Sequence, residues 1–287
     1  MHLIAVPVAD LRKKPEQLTQ DYSHHPLRDS QLLFQEKIEV VRKEGNWAYI
    51  QALEQMQYDQ EKGWRPYEGW IHVSEMREER LVFPPNVVVT ALTTLIKPQN
   101  LSLSFGTYLH QREDGAIQLS ASERGFVFPL DIGPLEGSFN REKLIQDGSK
   151  FLGLPYLWGG RGGNVKGAIS SVDCSGLIDL VYRAQGIAIP RDAHDQYLAS
   201  IPTRSPQKGD AIFLCREFQK ERISHVLLYD TERRALEAPE TGKCVRSLEW
   251  GKEIWIEGGF FHFFDRPHRY HYFFRTFQDV GPSHLTI

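Results

Sequence analysis

Hydrophobic and polar positions change rhythm about half-way along the chain. From Val6 to about residue 136, short apolar runs alternate with turn residues, as in Lys37-Ile38-Glu39-Val40-Val41, Trp47-Ala48-Tyr49-Ile50, Gly69-Trp70-Ile71-His72-Val73 and Asn86-Val87-Val88-Val89-Thr90. Runs of this length and spacing predict the strands of small all-β barrels. Pro84-Pro85 marks a boundary, because proline donates nothing to a ladder and stiffens a linker. A weak repeat, in which Leu32-Leu33-Phe34-Gln35-Glu36 and Leu101-Ser102-Leu103-Ser104-Phe105-Gly106 each precede a glycine-bounded strand, suggests two related barrels over residues 1–83 and 84–138.

From residue 139 onward the pattern predicts helices followed by strands, that of an α+β domain. Asn140 to Leu152 reads as a helix with Asn140 as N-cap, ended by Gly153-Leu154-Pro155. A second helix follows Cys174, with Leu177, Ile178, Leu180, Val181 and Ala184 on its apolar side and Gly186 closing it. A third starts at Asp192 and runs through Gln196 and Leu198. Strands are expected at Ala211–Leu214, His225–Tyr229 and Ala235–Ala238, with one or two more in the aromatic stretch from Trp255 to Phe277.

Composition narrows the function. The 287 residues carry a net charge of -3, so no cationic excess invites nucleic acid or anionic lipid. No run approaches the ~18 apolar residues of a membrane span. Three cysteines fit neither a disulfide framework nor paired zinc-ligand spacing, and His262, His268 and His271 lack a ligand motif; no metal or cofactor is expected. The opening Met1–Asp10 lacks a basic start, a long apolar stretch and a small-residue cleavage site, which places the protein in a reducing cytoplasm as an expectation. Nothing in the sequence speaks to its oligomeric state.

The chemistry centres on Cys174, at the start of the second catalytic-region helix. Backbone N–H groups at a helix start lower a thiol pKa and make it nucleophilic; the alternative is a small buried hydrophobe. A nucleophilic thiol needs a base held by a third polar group. Of eleven histidines, His225 is the best placed, at the head of a strand. If the strands flanking Asp230-Thr231-Glu232 pair around that three-residue loop, Tyr229 faces Arg233, Leu227 faces Ala235 and His225 faces Glu237. Directly opposed residues share a face about 5 Å apart, so Glu237 reaches His225, accepts its Nδ1 proton and turns Nε2 toward sulfur. A solvated cross-strand partner is the alternative for Glu237. Cys215 and Cys244 have neither a helix start nor a base nearby and read as structural.

Tyr156-Leu157-Trp158-Gly159-Gly160-Arg161, Asp173-Cys174-Ser175-Gly176-Leu177-Ile178, Pro190-Arg191-Asp192, Lys208-Gly209-Asp210 and Ser224-His225-Val226 stand in an order and spacing that resembles the NlpC-type, papain-like cysteine peptidases, which cut bacterial cell-wall peptides. The match covers about residues 140 to 265. The N-terminal half resembles the two bacterial SH3-like barrels of cytoplasmic murein-peptide recyclers. The resemblance thus implies a papain-like α+β catalytic domain, residues 139–287, preceded by two SH3-like barrels.

It also implies an activity: hydrolysis of the bond between the γ-carboxyl of D-glutamate and a diamino acid, here expected to be meso-diaminopimelate, in murein tri- or tetrapeptides with a free L-alanine. Cys174 is then the nucleophile, His225 the base and Glu237 the third residue, where many relatives carry histidine. Asp173, Tyr156 and Ser175 form a pocket for the free ammonium, with Glu36 as lid and Tyr67 as wall from the first barrel. N-capping by Asp173, core packing by Tyr156 and a plain surface position for Glu36 are the alternatives. Arg191 stays outside the expected site, either meeting a substrate carboxylate or pairing with Asp192 or Asp195. Two other functions compete: a hydrolase of polymeric cell wall, and a catalytically silent binder of its peptides.

Overall fold

The computed structural model describes residues 1–17, 24–135, 138–220 and 222–277. Strands fall into three successive groups. The first, between His2 and Glu78, is one antiparallel seven-stranded sheet in the order Arg28–Leu33, Val8–Arg12, Gly63–His72, Trp47–Asp59, Lys37–Glu44, His2–Ile4, Met76–Glu78. The start of its long strand Trp47–Asp59 alternates half-buried and buried residues, the next strand Gly63–His72 is buried over most of its second half, and Ile4, Leu11, Leu32, Ile38, Ile50 and Ile71 close a small core. The second group, between Val87 and Pro134, holds a two-stranded and a five-stranded sheet around Val89, Ile96, Leu103, Leu109 and Ile117.

The third group is the α+β region. A helix at Arg141–Ser149 starts at its expected cap, where the Asn140 side chain accepts from Lys143 N–H at 3.1 Å. A helix at Cys174–Arg183, the expected nucleophile helix, and a short helix, Ala193–Ala199, follow. They pack on one face of an antiparallel sheet in the order Arg246–Glu249, Arg234–Glu237, His225–Thr231, Ala211–Arg216, Arg269–Thr276, Phe260–Phe263, Ile254–Glu257, with Ile201–Pro202 pairing the Arg269–Thr276 strand.

The nucleophile helix is buried on both sides. Leu177, Ile178, Leu180 and Val181 enter the main core with Phe213, Val226 and Leu228, each such side chain contributing roughly 1.5–3 kcal/mol on burial. On the other side Asp179 and Arg183, four residues apart, meet cations and anions of neighbouring segments. Asp179 pairs with Arg161, and Arg183 donates to Glu54 of the first sheet at 2.8 Å. Gly176 lets this helix approach the turn before it, since a Cβ there would stand 2.2 Å from the Gly160 carbonyl oxygen.

The first sheet therefore docks onto the catalytic region through buried polar contacts. Gln31 donates to the Ile169 carbonyl at 2.7 Å and its oxygen accepts from Arg161 N–H at 3.1 Å. Tyr58 N–H donates to Asp195 at 2.9 Å, and Arg191 N–H to the Met56 carbonyl at 3.0 Å.

The hairpin after His225 corrects the expected register. Leu228 faces Leu236, Tyr229 faces Ala235 and Thr231 faces Arg234, with an irregularity between Tyr229 and Thr231. The turn is two residues, Glu232-Arg233, plus a bulge at Asp230, so the pairing is shifted by two from the three-residue-loop expectation. Because side chains alternate with period two, that shift leaves Glu237 on the face of His225 and moves it to a diagonal position.

Candidate active site

Cys174, His225, Asp173, Ser175 and Tyr156 line one cleft of about 500 Å³, together with Asp29, Trp158, Asp192, His194, Arg216, Arg222 and Arg266. Asp173 is the N-cap of the nucleophile helix and accepts from Gly176 N–H at 2.7 Å. The capped helix start leaves Cys174 at the first helical position, where its N–H has no intrahelical acceptor. The Val226 and Ser175 N–H groups point at its sulfur, so the thiol lies against the head of the histidine strand.

The thiol itself does not have the lowered pKa expected from a helix start. Burial and then the adjacent Asp173 carboxylate push it up to about 12, and the two N–H groups with the Arg191 charge only partly offset them. At neutral pH a thiol so placed keeps its proton unless a neighbouring base takes it.

Glu237 is fully buried behind His225. Its Oε1 takes the hydrogen bond of His225 Nε2 at 2.7 Å and one from Arg266 at 2.6 Å, while Oε2 accepts from Arg246 at 2.9 Å. Burial acts against its charge, but the bond and charge of His225 with the Arg266 and Arg246 charges hold it down to about 2. An ionised carboxylate only accepts, so Nε2 carries the proton and Nδ1 is the nitrogen left for sulfur. This reverses the nitrogen assignment expected from the sequence.

Arg191 is the residue sequence reasoning left out. It is 1 % exposed and clamps Asp173 with both terminal nitrogens, at 3.1 and 2.9 Å, while donating to Ser175 Oγ at 2.9 Å and Ser30 Oγ at 2.9 Å. Its position directly after Pro190 and before a helix was the available signal; its burial was not readable. The clamp pairs the Asp173 charge without cancelling its effect on Cys174 or Asp192. Asp192, half-buried on the same wall, has no ion pair among the described residues and accepts from Tyr67 Oη at 3.1 Å. Burial pushes Asp192 up to about 6; Arg191 pulls against this, while Asp195, Asp173 and Asp29 add to it. Burial also raises the Tyr156 phenol, which stays protonated as a donor.

The two first-sheet residues expected at the site part company. Tyr67 reaches it through Asp192. Glu36 does not line the cleft: it is 2 % exposed and bound to Arg161 at 2.6 Å and Gln55 at 3.2 Å, with Arg183 at 3.4 Å. The turn before it explains why, since Gln35 takes φ 66 and sends the chain, with Glu36, inward. Asp29, seven residues earlier on the docked strand, is the first-sheet carboxylate that lines the cleft. Among the described residues no cluster of His, Cys, Asp and Glu could hold a metal ion.

The model of the NlpC/P60 family matches residues 153–260. A gamma-D-glutamyl-L-lysine dipeptidyl-peptidase of Bacillus subtilis (strain 168) is 32% identical over 238 residues, spanning 79% of this chain and 77% of that protein. The chain belongs to the NlpC/P60 family. A protein of the same name from Bacillus cereus (strain ATCC 10987 / NRS 248) is 27% identical over 260 residues, 80% of this chain and 72% of its own. The crystal structure of an NlpC/P60 family protein from Bacillus cereus ATCC 10987 superposes with a TM-score of 0.75 over 86% of this chain and 93% of that one, at 22% identity, and shares the fold. Membership together with the Cys174–His225–Glu237 cleft makes this chain a cysteine peptidase.

Proposed function

We propose that this NlpC/P60 peptidase cuts the bond between γ-D-glutamate and a diamino acid in short murein peptides that begin with a free L-alanine. Cys174 attacks the γ-amide carbonyl as its proton passes to His225 Nδ1. The imidazolium, held by ionised Glu237, gives that proton to the departing amine, and water then hydrolyses the thioester. The Bacillus relatives are named for the γ-D-glutamyl-L-lysine bond, a bond of this kind with lysine as the diamino acid.

The observation that carries the free-N-terminus reading is the acidic wall. Asp29, Asp173 and Asp192 face the cleft; Lys13 pairs with Asp29 at 3.2 Å and Arg191 with Asp173 at 2.9 Å, whereas Asp192 lacks a cation of its own among the described residues. A substrate ammonium supplies one. We read the two N-terminal all-β units as SH3-like barrels, the first of which brings Lys13 and Asp29 to the cleft and holds Tyr67 behind Asp192. Three free thiols, Cys174, Cys215 and Cys244, fit a reducing compartment, hence a cytoplasmic place, which cell fractionation tests.

Incubation of the full chain with L-Ala-γ-D-Glu-meso-diaminopimelate, followed by mass spectrometry, tests the reading. Release of L-Ala-D-Glu, abolished in Cys174→Ala, is expected. Cleavage of intact polymeric peptidoglycan with none of the free tripeptide would instead favour a wall hydrolase.

A further inference from the structure

The two walls of the cleft differ in charge. Asp29, paired with Lys13, Asp173, paired with Arg191, and Asp192 lie on the wall made by the first sheet and the nucleophile helix, whereas Arg216, Arg222 and Arg266 lie on the wall that carries His225. Arg216 ends the strand Ala211–Arg216, two residues beyond Leu214, which pairs with His225; the strand period puts Arg216 on the face of His225. Arg222 sits in the connection that leads into His225.

The carboxylates near this second wall are already committed. Glu217 is held by Arg269 at 2.7 Å, Glu240 by Lys243 at 2.9 Å, and Glu237 is buried with Arg266 and Arg246. His194 accepts from Ile223 N–H at 3.2 Å, and burial and then the Arg222 charge lower its pKa. Among the described residues Arg216 and Arg222 make no ion pair and no side-chain hydrogen bond; Asp195 feels the Arg222 charge at longer range, and the two exposed guanidinium groups line the cleft with no carboxylate in contact.

Which half of the substrate meets them follows from the chemistry, and this step rests on the proposed peptidase reading. His225 protonates the departing amine, so the diamino acid attached to that amine lies along the His225 wall, and the acyl half with its ammonium lies along the acidic one. We infer that Arg216 and Arg222 are specificity-determining residues that bind carboxylate on the departing half and favour a diamino acid with a second carboxylate over lysine. Guanidinium forks suit carboxylates, and a lysine side chain would bring an ammonium toward two like charges.

The test compares three tripeptides, L-Ala-γ-D-Glu followed by meso-diaminopimelate, by the same residue amidated at its side-chain carboxyl, or by L-lysine, on the full chain and on Arg216→Gln, Arg222→Gln and the double variant. Loss of one charged hydrogen bond corresponds to roughly tenfold, so the wild type is expected to favour the free carboxylate by about that factor in kcat/KM. In the double variant the gap closes, carried by KM, as for a contact made equally in ground and transition states. Equal cleavage of all three by the wild type, or a gap that survives the double substitution, would overturn the inference while leaving the peptidase reading intact. If none of the three is cut, the peptidase reading fails and the inference falls with it.

Discussion

Glu237 accepts the Nε2 hydrogen bond of His225 at 2.7 Å although the two residues are diagonal, not opposed, across their hairpin. Diagonal partners on one face stand about 7–8 Å apart at the backbone, within reach of a glutamate and an imidazole. The longer side chain suits that span, and Arg246 and Arg266 fix its far end.

Glu237→Gln should lower kcat by roughly 10²-fold, with KM nearly unchanged, because the imidazolium loses its counter-charge and its fixed tautomer. Steady-state kinetics check this. A loss seen in KM alone would place Glu237 outside the proton relay.

Acid stability follows from the same carboxylate. Its folded pKa, about 2, lies below the unfolded value, so its contribution is fully present above the unfolded pKa and disappears as pH falls from about 4.5 toward 2. Roughly 3 kcal/mol of stability is linked to this protonation. Urea melts between pH 2 and pH 5 should show a flatter acid limb for Glu237→Gln than for the wild type.

Asp173→Asn removes the carboxylate that, after burial, most raises the Cys174 thiol, and leaves the Val226 and Ser175 N–H groups and Arg191 in place. The pH profile of alkylation by iodoacetamide should move down by about one unit even as peptide turnover falls. An unchanged or upward-shifted profile would contradict the electrostatic account of the thiol.

Asp192 is ionised only above about 6, and its attraction for an ammonium is lost as pH falls through that value. KM for a peptide with a free N-terminus should rise between pH 7.5 and pH 5. In Asp192→Asn it should be high at both.

Glu36→Gln takes one of two carboxylate partners from each of Arg161 and Arg183 and leaves them Asp179 and Glu54. Because each buried guanidinium keeps a counter-charge, the cost is expected to fall below the roughly 3–5 kcal/mol of a fully broken buried pair. A lowered melting temperature, with kcat and KM of the folded fraction changed less than about threefold, is expected; a selective rise in KM would restore Glu36 to substrate binding.

Local chemistry was legible in the sequence and long-range placement was not. Asp173 as N-cap, Cys174 at the helix start, His225 at the strand head and Glu237 on the same face all follow from short-range periodicity, and the parity of a strand survives a two-residue error in register. The turn that sets that register depends on the bulge at Asp230, which no residue in Asp230-Thr231-Glu232 announces. Glu36 and Asp29 both belong to the segment that enters the catalytic region, and only the positive φ of Gln35 and the way the first sheet docks decide which faces the cleft. Arg191 illustrates the same limit, since its partners Ser30, Gly160 and Asp173 come from three separated segments.

The most direct test of the central claim is the ratio of kcat/KM for L-Ala-γ-D-Glu-meso-diaminopimelate to that for its N-acetylated form. A cleft whose acidic wall captures a free ammonium predicts cleavage of the free peptide and little or none of the acetylated one. Equal cleavage of both would contradict the assignment of Asp29 and Asp192 to the N-terminus of the substrate.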